Sequence, residues 1–238
     1  MSLAKPDNYE SSNNVKRNSI YIILLILLVA ALSGASSNTE KTDLISNSYF
    51  PVDHEATLIY ESSFGESITK YFQEDECIIS LSESDDFVYR QALVLKDDGV
   101  YTKETYQYFK IFLFIKTEST VTYKTPLLRF PLPLSPGLEW DWEGDQYSDG
   151  EIYKVKITGK AFNKEFVTTK AGSFEAIKLE TVVETADDVK NKVTEWYAEG
   201  IGLIKAKVVI EGGGVMGLLR DVLGYGTIEF ELVEIRKQ

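Results

Sequence analysis

Apolar and polar residues alternate along most of the chain between Glu151 and Ile210. From Tyr153 to Ile157 every second residue is apolar, and the residues between them are lysines. Such a period of two is the pattern of a β-strand that buries one face and exposes the other. The pattern recurs from Ile177 to Val183 and from Ile204 to Ile210. Short glycine-containing breaks between these segments predict an antiparallel sheet.

The same pattern continues through the folded part of the chain and predicts about a dozen strands, with turns at sites such as Asp97-Asp98-Gly99. The predicted strands are Ala56–Phe64, Ser67–Gln73, Phe87–Lys96, Val100–Tyr108, Lys110–Thr117, Val121–Phe130, Leu138–Glu143, Glu151–Gly159, Glu165–Thr169, Phe174–Thr185, Lys192–Ala198, Leu203–Ile210 and Thr227–Ile235. Their spacing of roughly 8 to 14 residues is typical of an all-β barrel or sandwich.

Two segments interrupt this pattern. Pro131–Gly137 contains three prolines, which cannot donate to a central ladder, so we expect it to cross between two halves of one sheet. In Gly212–Gly226, the residues Met216, Leu219 and Leu223 are spaced like one face of a helix, which predicts a short helix or loop near 215–223. Residues 49–238 are therefore expected to form a single β domain.

The N-terminal residues have the composition of an export signal. Residues 1–19 are polar and end in Lys16-Arg17, and an uncharged apolar run follows from Ile20 to Leu32. With small residues at Ser33 and Ala35, this predicts a signal peptide over residues 1–35. The alternatives are an uncleaved signal anchor, although the run is shorter than a span of roughly 20 residues, and a buried helix, which the polar flanks disfavour.

The sequence after this run bears on location. Leu32-Ser-Gly resembles the end of a bacterial lipoprotein signal, but Ala35 stands where the lipidated cysteine would be. This indicates a soluble exported form, or a protein whose cysteine has been replaced. We expect residues 36–48 to be a disordered linker and the protein to be exported to the periplasm or cell envelope of a bacterium. It would then contact a membrane only through an uncleaved N-terminal segment.

Composition and charge narrow the classes of function. The chain is 44% apolar and 12% aromatic, enough to bury a substantial core and favourable to sheet. Its net charge of −12 argues against nucleic-acid binding and against electrostatic adhesion to anionic membranes. Cys77 is the single cysteine, so no disulfide can form within the chain.

Four motifs, taken in order, resemble a known group of proteins. They are Tyr49-Phe-Pro, Pro133-Leu-Ser-Pro-Gly-Leu-Glu-Trp, Val167-Thr-Thr-Lys-Ala-Gly-Ser-Phe-Glu-Ala-Ile-Lys-Leu and Glu195-Trp-Tyr-Ala-Glu-Gly-Ile-Gly-Leu-Ile-Lys. Over residues 49–238 the chain resembles a family of uncharacterised bacterial envelope proteins, many of them lipoproteins. The resemblance implies a curved antiparallel half-barrel, similar to the outer-membrane lipoprotein carriers, without an established activity. The opening after Pro51 lacks the usual glycine and tryptophan, which weakens the match at that edge.

Aromatic and apolar side chains are the candidates for a binding site. Trp140 and Trp142 lie two apart and therefore share a strand face, which could line a pocket for an acyl chain or a sugar ring. Plain core packing is the alternative for these tryptophans and for Trp196. The segment Gly212–Gly226 would act as a lid. The predicted ligand contacts are Trp140, Trp142, Trp196, Met216, Leu218, Leu219 and Leu223.

Motifs for metals, cofactors and catalysis are incomplete. In the acidic run from Asp141 to Glu151, Gly144 comes too early for a calcium loop, and Ile152 stands where the bidentate glutamate belongs. Gly212-Gly-Gly is not followed by the lysine of a phosphate loop. His54 is the single imidazole, and Cys77 follows three acidic residues. We therefore expect no metal, no cofactor and no enzymatic activity.

These observations favour an exported cell-envelope protein that binds a lipid-like or lipoprotein ligand on a concave apolar face. Its expected partners are a lipid or an envelope protein, and not nucleic acid. Two alternatives remain at the level of sequence. One is a structural or interaction protein with a filled core. The other is a glycan-binding or glycan-hydrolysing protein that uses a pair of its many carboxylates.

Overall fold

The computed structural model describes residues 48–51, 56–62, 65–111, 115–185, 190–211 and 226–237. All regular secondary structure within these ranges is β-strand, which confirms the all-β class. The twelve strands are β1 Ala56–Ser62, β2 Gly65–Glu74, β3 Cys77–Ser84, β4 Phe87–Lys96, β5 Gly99–Ile111, β6 Ile115–Pro131, β7 Glu139–Ser148, β8 Glu151–Thr169, β9 Gly172–Thr185, β10 Lys190–Ala198, β11 Gly202–Glu211 and β12 Thr227–Lys237.

Some of the sequence-based predictions concern residues that lie outside these ranges. The signal peptide over 1–35, nearly all of the linker over 36–48 and the helix or loop near 215–223 lie outside the described ranges, and so does His54. Within those ranges, no helix is long and apolar enough to cross a membrane.

The sheet closes on itself. Each strand is antiparallel to the next along the chain, and β1 also pairs with β12, from Ala56 opposite Lys237 to Ser62 opposite Phe230. The prediction of an open half-barrel is therefore wrong, because the twelve strands form a closed up-and-down barrel. The physical reason is that an open sheet would leave the backbone groups of two edge strands unpaired, and closure pairs them with each other.

One strand was missed because its pattern is inverted. In β3 the inward residues Ser80 and Ser82 are polar, while the outward residue Ile79 is apolar and only 1% exposed. The alternation of apolar and polar residues in β3 therefore predicts the wrong face of the strand as the inner one. The predicted strands Glu151–Gly159 and Glu165–Thr169 are one strand, β8, with an irregular register between Ala161 and Lys164. The predicted strand Lys110–Thr117 spans the end of β5 and the start of β6.

The predicted buried faces of β8, β9 and, from Ile204 to Val208, β11 are confirmed, except that Tyr153 at the start of β8 is only half-buried. Val155, Ile157 and Ile177 are almost completely buried, as is Ile204. Each aliphatic side chain buried in this way contributes roughly 1.5–3 kcal/mol relative to exposure. The core is therefore the inside of the barrel.

The residues before β1 close one end of the barrel. Phe50 is 1% exposed and packs edge-on against Tyr71 and Phe130, with ring centroids 5.5 and 5.9 Å away. The backbone N–H of Gly200, in the β10–β11 turn, donates to the carbonyl of Ser48 at 2.6 Å. These contacts explain why the Tyr-Phe-Pro motif precedes the first strand, since its phenylalanine fills the barrel opening.

The proline-rich segment connects β6 to β7 within the same sheet, as expected. Gly137 donates its backbone N–H to the carbonyl of Ala161 at 2.9 Å, and Ala161 donates back to Leu138 at 2.8 Å. Leu134 is buried at this end of the barrel. The segment thus packs against the barrel.

A buried hydroxyl links two strands that are not neighbours. Tyr60 on β1 donates to the carbonyl of Leu203 on β11 at 2.7 Å, and burial raises the pKa of Tyr60 well above its usual value, so the donor stays protonated. We expect Tyr60→Phe to lower the free energy of unfolding by about 1 kcal/mol, measured by urea unfolding. Tyr147→Phe is the control, since Tyr147 is 37% exposed. Equal losses in both variants would contradict a role for the Tyr60 hydrogen bond.

Candidate functional site

The barrel interior has two chemically different walls. Strands β8 to β12 together with β1 form a mostly aliphatic wall, which we call the apolar wall. Its buried side chains include Leu58, Val155, Ile157, Leu179, Val183, Val193, Ala206, Val208, Ile228, Phe230 and Leu232. Strands β2 to β7 also bury aromatic and aliphatic side chains, such as Phe87, Leu93 and Phe109, but they contribute most of the buried hydroxyls and amides, and we call this side the polar wall. Its polar members are Ser67, Thr69, Ser80, Ser82, Gln91, Thr102, Thr105, Gln107, Gln146 and Ser148.

Strand register brings the groups of the polar wall side by side. Ser80 lies opposite Gln91, and Gln91 lies opposite Thr105 on the next strand. One contact within the wall is satisfied, because the Ser82 hydroxyl donates to Thr69 at 2.9 Å. Several other buried atoms have no hydrogen-bond partner among the described residues. They are the hydroxyls of Ser67, Ser80, Thr102 and Thr105 and both amide atoms of Gln91 and Gln146.

Two tyrosines add their hydroxyls to this wall. Tyr71 lies beside Ser80 and Tyr89 lies beside Thr105, but neither tyrosine makes a hydrogen bond of ordinary length to a described residue. Burial raises the pKa of both phenols, so they remain protonated. Each one can therefore donate a hydrogen bond to a group inside the barrel.

A buried ion pair joins the two walls. The guanidinium of Arg129 on β6 donates to the carboxylate of Glu195 and to the hydroxyl of Tyr197, both at 2.7 Å. Tyr197 in turn donates to Glu195 at 3.0 Å. The guanidinium also lies 5.9 and 5.8 Å from the ring centroids of Phe50 and Phe130, within cation–π range. The pair therefore lies just inside the end of the barrel that Phe50 closes.

Burial affects the two charges in opposite ways. It lowers the pKa of Arg129, but the neighbouring Tyr197 and Glu195 outweigh this, and the pKa of Arg129 is raised overall. Burial also raises the pKa of Glu195, against the opposing effect of Arg129. Arg129 thus stays cationic beside its carboxylate partner. Among the described residues, these are the charged side chains that are fully buried, and they neutralise each other.

The predicted aromatic site is divided between the two sides of the sheet. Trp140 and Trp142 share the inner face of β7, as predicted, and Trp142 meets Tyr123 edge-on with centroids 5.9 Å apart. Trp140 packs across Gly159 of β8, in space that a Cβ atom would occupy. Trp196 lies on the outer face of β10, where its indole N–H donates to Glu165 at 2.6 Å. The predicted lid contacts Met216, Leu218, Leu219 and Leu223 lie outside the described residues.

The two inner tryptophans stand beside the shortest ladder of the barrel. Strands β6 and β7 pair only through Val121–Tyr123 and Gln146–Ser148. The part of β7 that carries Trp140 and Trp142 has no ladder partner on that side within the described part of the chain. The polar wall therefore contains, between β6 and β7, a seam that backbone hydrogen bonds hold less extensively than the other strand pairs.

The outer surface carries two grooves. A groove of about 690 Å³ combines Cys77, Ile79 and Ala92 with the ion pair of Arg90 and Glu104. A second groove, of about 450 Å³, lies beside Trp140 and is lined by charged residues of β7 to β9. Cys77 is buried in an apolar cluster on this outer side. No group of residues able to hold a metal ion occurs among those described.

The acidic run that invited a calcium interpretation has ordinary partners. Asp145 pairs with Lys154 at 2.6 Å, and hydrogen bonding to this lysine holds the pKa of Asp145 below its usual value. Asp149 and Gly150, both with positive φ, form the tight turn between β7 and β8. The run thus forms the end of a strand and its turn.

Neither Arg129 nor Glu195 was predicted as a site residue from the sequence. A signal for both was present, because each charge stands where the strand pattern calls for an apolar residue: Arg129 follows Leu127-Leu128, and Glu195 lies between Val193 and Tyr197. Opposite charges at two inward positions of one sheet indicate a buried pair. The glutamines of the polar wall carried no comparable signal, since isolated glutamines are usually exposed.

Three solved structures have a chain fold similar to that of this protein. A candidate lipoprotein of Parabacteroides distasonis is 11% identical, with a TM-score of 0.42, covering 80% of this chain and 99% of that one. A candidate exported protein with a YmcC-like fold from Bacteroides fragilis is 14% identical, with a TM-score of 0.41, covering 80% and 100%. The hypothetical lipoprotein YmcC of Escherichia coli is 11% identical, with a TM-score of 0.40, covering 75% and 83%.

Comparisons of sequence identify the family. No curated protein matches this chain. The model of the DUF3108-like family matches residues 91–217, just over half of the 238 residues. This match extends from β4 on the polar wall to beyond β11 on the apolar wall, and it confirms the resemblance to a family of unknown function. The chain belongs to the DUF3108-like family.

Proposed function

We propose that this chain is an exported protein of the bacterial cell envelope that holds a lipid-like ligand inside its barrel. The observation that carries the proposal is the apolar wall, which continues across β8 to β12 and β1. Hydrocarbon placed against such a wall gains about 0.8 kcal/mol for each CH₂ group removed from water. The signal-like residues 1–35 support export, and a lipid is available in the envelope.

The size of the barrel and its inner chemistry both support binding. An eight-stranded barrel is just narrow enough for its own inward side chains to fill it. A barrel of twelve strands, as here, encloses a wider interior. A core that serves only stability satisfies nearly all of its buried polar groups. The polar wall instead contains buried amides, such as Gln91 and Gln146, that have no partner among the described residues.

The proposal includes the absence of catalysis. The buried carboxylate of Glu195 is held by Arg129 and Tyr197, which leaves it a poor general base. Cys77 lies in an apolar cluster on the outer side, away from the two walls. We therefore propose a binding protein whose partner is a lipid or an envelope lipoprotein. A screen of the mature protein against glycosidase substrates should show no turnover.

A second candidate is a structural or interaction protein whose core is filled by its own side chains. The observation in its favour is that inner residues such as Leu58, Leu203 and Phe230 are completely buried. A filled barrel would act through its outer surface, where the groove beside Arg90 and the groove beside Trp140 lie. The two candidate functions differ in one expected result: a smaller interior should weaken ligand binding only if the ligand lies inside the barrel.

Reducing that volume tests the proposal. Ala206 lies on the apolar wall between Glu195 of β10 and Phe230 of β12, and Lys207 beside it points outward. We expect Ala206→Leu to weaken binding of a fluorescent fatty acid about tenfold, equivalent to 1.4 kcal/mol. Lys207→Leu adds the same side chain on the outer face and should leave the affinity unchanged. Fluorescence titration of the delipidated protein measures both affinities.

Two outcomes would contradict the binding proposal. If the unmodified protein binds no fluorescent fatty acid and native mass spectrometry finds no lipid after incubation with a lipid extract, the filled-core candidate replaces it. If Lys207→Leu weakens binding as much as Ala206→Leu, the ligand lies outside the barrel.

A further inference from the structure

We propose that the ligand carries an uncharged, hydroxyl-rich group that lies against the polar wall while its hydrocarbon lies against the apolar wall. This inference rests on the proposed function and specifies the class of ligand: a neutral amphiphile whose head group is a polyol, such as glycerol or a sugar. It is carried by the unpartnered atoms of the polar wall.

The buried amides of Gln91 and Gln146 are the first observation that points to a hydroxyl-bearing ligand. Their side chains are 1% and 0% exposed, and neither the amide nitrogen nor the amide oxygen of either one has a partner among the described residues. Buried polar atoms in native proteins are nearly always hydrogen-bonded, because an unmade bond is unfavourable. A group that satisfies a primary amide must both accept and donate, and a hydroxyl does both.

The residues next to Gln91 also need a ligand group that can donate and accept hydrogen bonds. Ser80 and Thr105 flank it on the adjacent strands, and although Tyr71 and Tyr89 lie near them, neither hydroxyl has a partner within ordinary hydrogen-bond distance among the described residues. Thr102 presents a further buried hydroxyl on β5 in the same condition. Several donor–acceptor groups placed on neighbouring strands match a ligand with several hydroxyls, and a single carbonyl would satisfy few of them.

The charges inside the barrel provide the second step. Among the described residues, the fully buried charges are Arg129 and Glu195, and each neutralises the other at 2.7 Å. An anionic or cationic head group would therefore enter a buried environment without a free counter-charge, which is strongly unfavourable. Neutral hydroxyls avoid this penalty. The polar wall thus selects uncharged head groups over phosphate, carboxylate or ammonium.

The test compares ligands that share one hydrocarbon chain. 1-Monomyristoylglycerol has two free hydroxyls and no charge, myristate has a carboxylate on the same chain, and glycerol is the head group alone. We expect the full chain to bind 1-monomyristoylglycerol at least about tenfold more tightly than myristate, below the micelle concentrations of both. Glycerol alone should not bind at millimolar concentration. Displacement of an uncharged fluorescent monoacylglycerol and native mass spectrometry measure the affinities.

A pair of variants assigns the preference to the polar wall. In Gln91→Leu/Gln146→Leu the unpartnered amides are replaced by apolar groups of similar size. We expect this variant to lose the preference for 1-monomyristoylglycerol and yet to melt at a temperature about 2–4 °C higher, because removing unsatisfied polar groups stabilises the empty barrel. Gln73→Leu is the matched control, since Gln73 is exposed and donates to the carbonyl of Asp75. It should keep the preference.

The failures are distinguishable. If 1-monomyristoylglycerol and myristate bind equally, or the double variant keeps the preference, the head-group inference is wrong while lipid binding stands. If neither compound binds, the proposed function fails together with the inference. If glycerol alone binds as tightly as 1-monomyristoylglycerol, the site takes a free polyol, which overturns the amphiphile proposed here.

Discussion

Replacing Arg129 by methionine is expected to lower the free energy of unfolding by about 3–5 kcal/mol. The substitution leaves Glu195 buried without its cationic partner, and burial already raises the pKa of this carboxyl. It also removes the hydrogen bond to Tyr197 and the contacts with the rings of Phe50 and Phe130. Urea unfolding followed by tryptophan fluorescence measures the loss.

Two controls separate the unpaired charge from the change in shape. In Arg129→Met/Glu195→Met both charges are removed, and we expect the double variant to be more stable than Arg129→Met alone, because no buried charge remains without a partner. Lys190→Ala breaks an ion pair with Glu184 whose side chains are 50% and 46% exposed, and its effect should be below about 1 kcal/mol. A double variant less stable than Arg129→Met would contradict this account.

Substituting Gly159 by alanine is the second change with a large expected effect. A Cβ atom at this position would occupy the space of the Trp140 ring, which is packed across the glycine. Trp140 is 8% exposed, so the ring cannot move aside without disturbing the interior. We expect Gly159→Ala to lower the free energy of unfolding by about 3 kcal/mol, at the upper end of the range for overpacking.

A double-mutant cycle tests whether the ring is the cause. Trp140→Ala alone should lose about 3–5 kcal/mol, because a large aromatic side chain leaves a cavity. In Trp140→Ala/Gly159→Ala the obstruction is gone, so the second substitution should add little or nothing to the first. Thr158→Ala, next to Gly159 on the outer face, serves as the surface control and should change stability by less than about 0.5 kcal/mol. Additive effects in the cycle would show that the ring is not what excludes a side chain.

Local pattern was informative where the inner face is apolar. Ile177, Leu179 and Val183 alternate with polar residues, and each faces the interior as predicted. The same rule failed at β3, because there Ser80 and Ser82 face inward while Ile79 packs on the outer side. The alternation of residues identifies the apolar face of a strand. That face is the inward one only where the wall of the interior is itself apolar. The pattern therefore missed β3, and it gave no sign of the hydroxyls and amides that face inward on the other strands of the polar wall.

The candidate site was predicted in part. The shared face of Trp140 and Trp142 followed from their spacing, since residues two apart in a strand point the same way. Trp196 faces outward because Val193, Glu195 and Tyr197 occupy the inner face of β10, and the sequence did not show this plainly because the inward position 195 holds a charged residue. The pairing of Arg129 with Glu195 joins β6 to β10, and the strands between them contribute no local sign that the two meet.

The amino-acid sequence by itself determined the all-β class, the number of strands to within one, most of the turns and the family, because these depend on residues close together in the chain. Only the tertiary structure decided that Ala56 meets Lys237 and closes the barrel, that hydroxyls and amides gather on one wall, and that Arg129 reaches Glu195. These features depend on contacts between distant strands. Backbone hydrogen bonding at the two edges and the curvature of the whole sheet select such contacts, and no local pattern of residues encodes them.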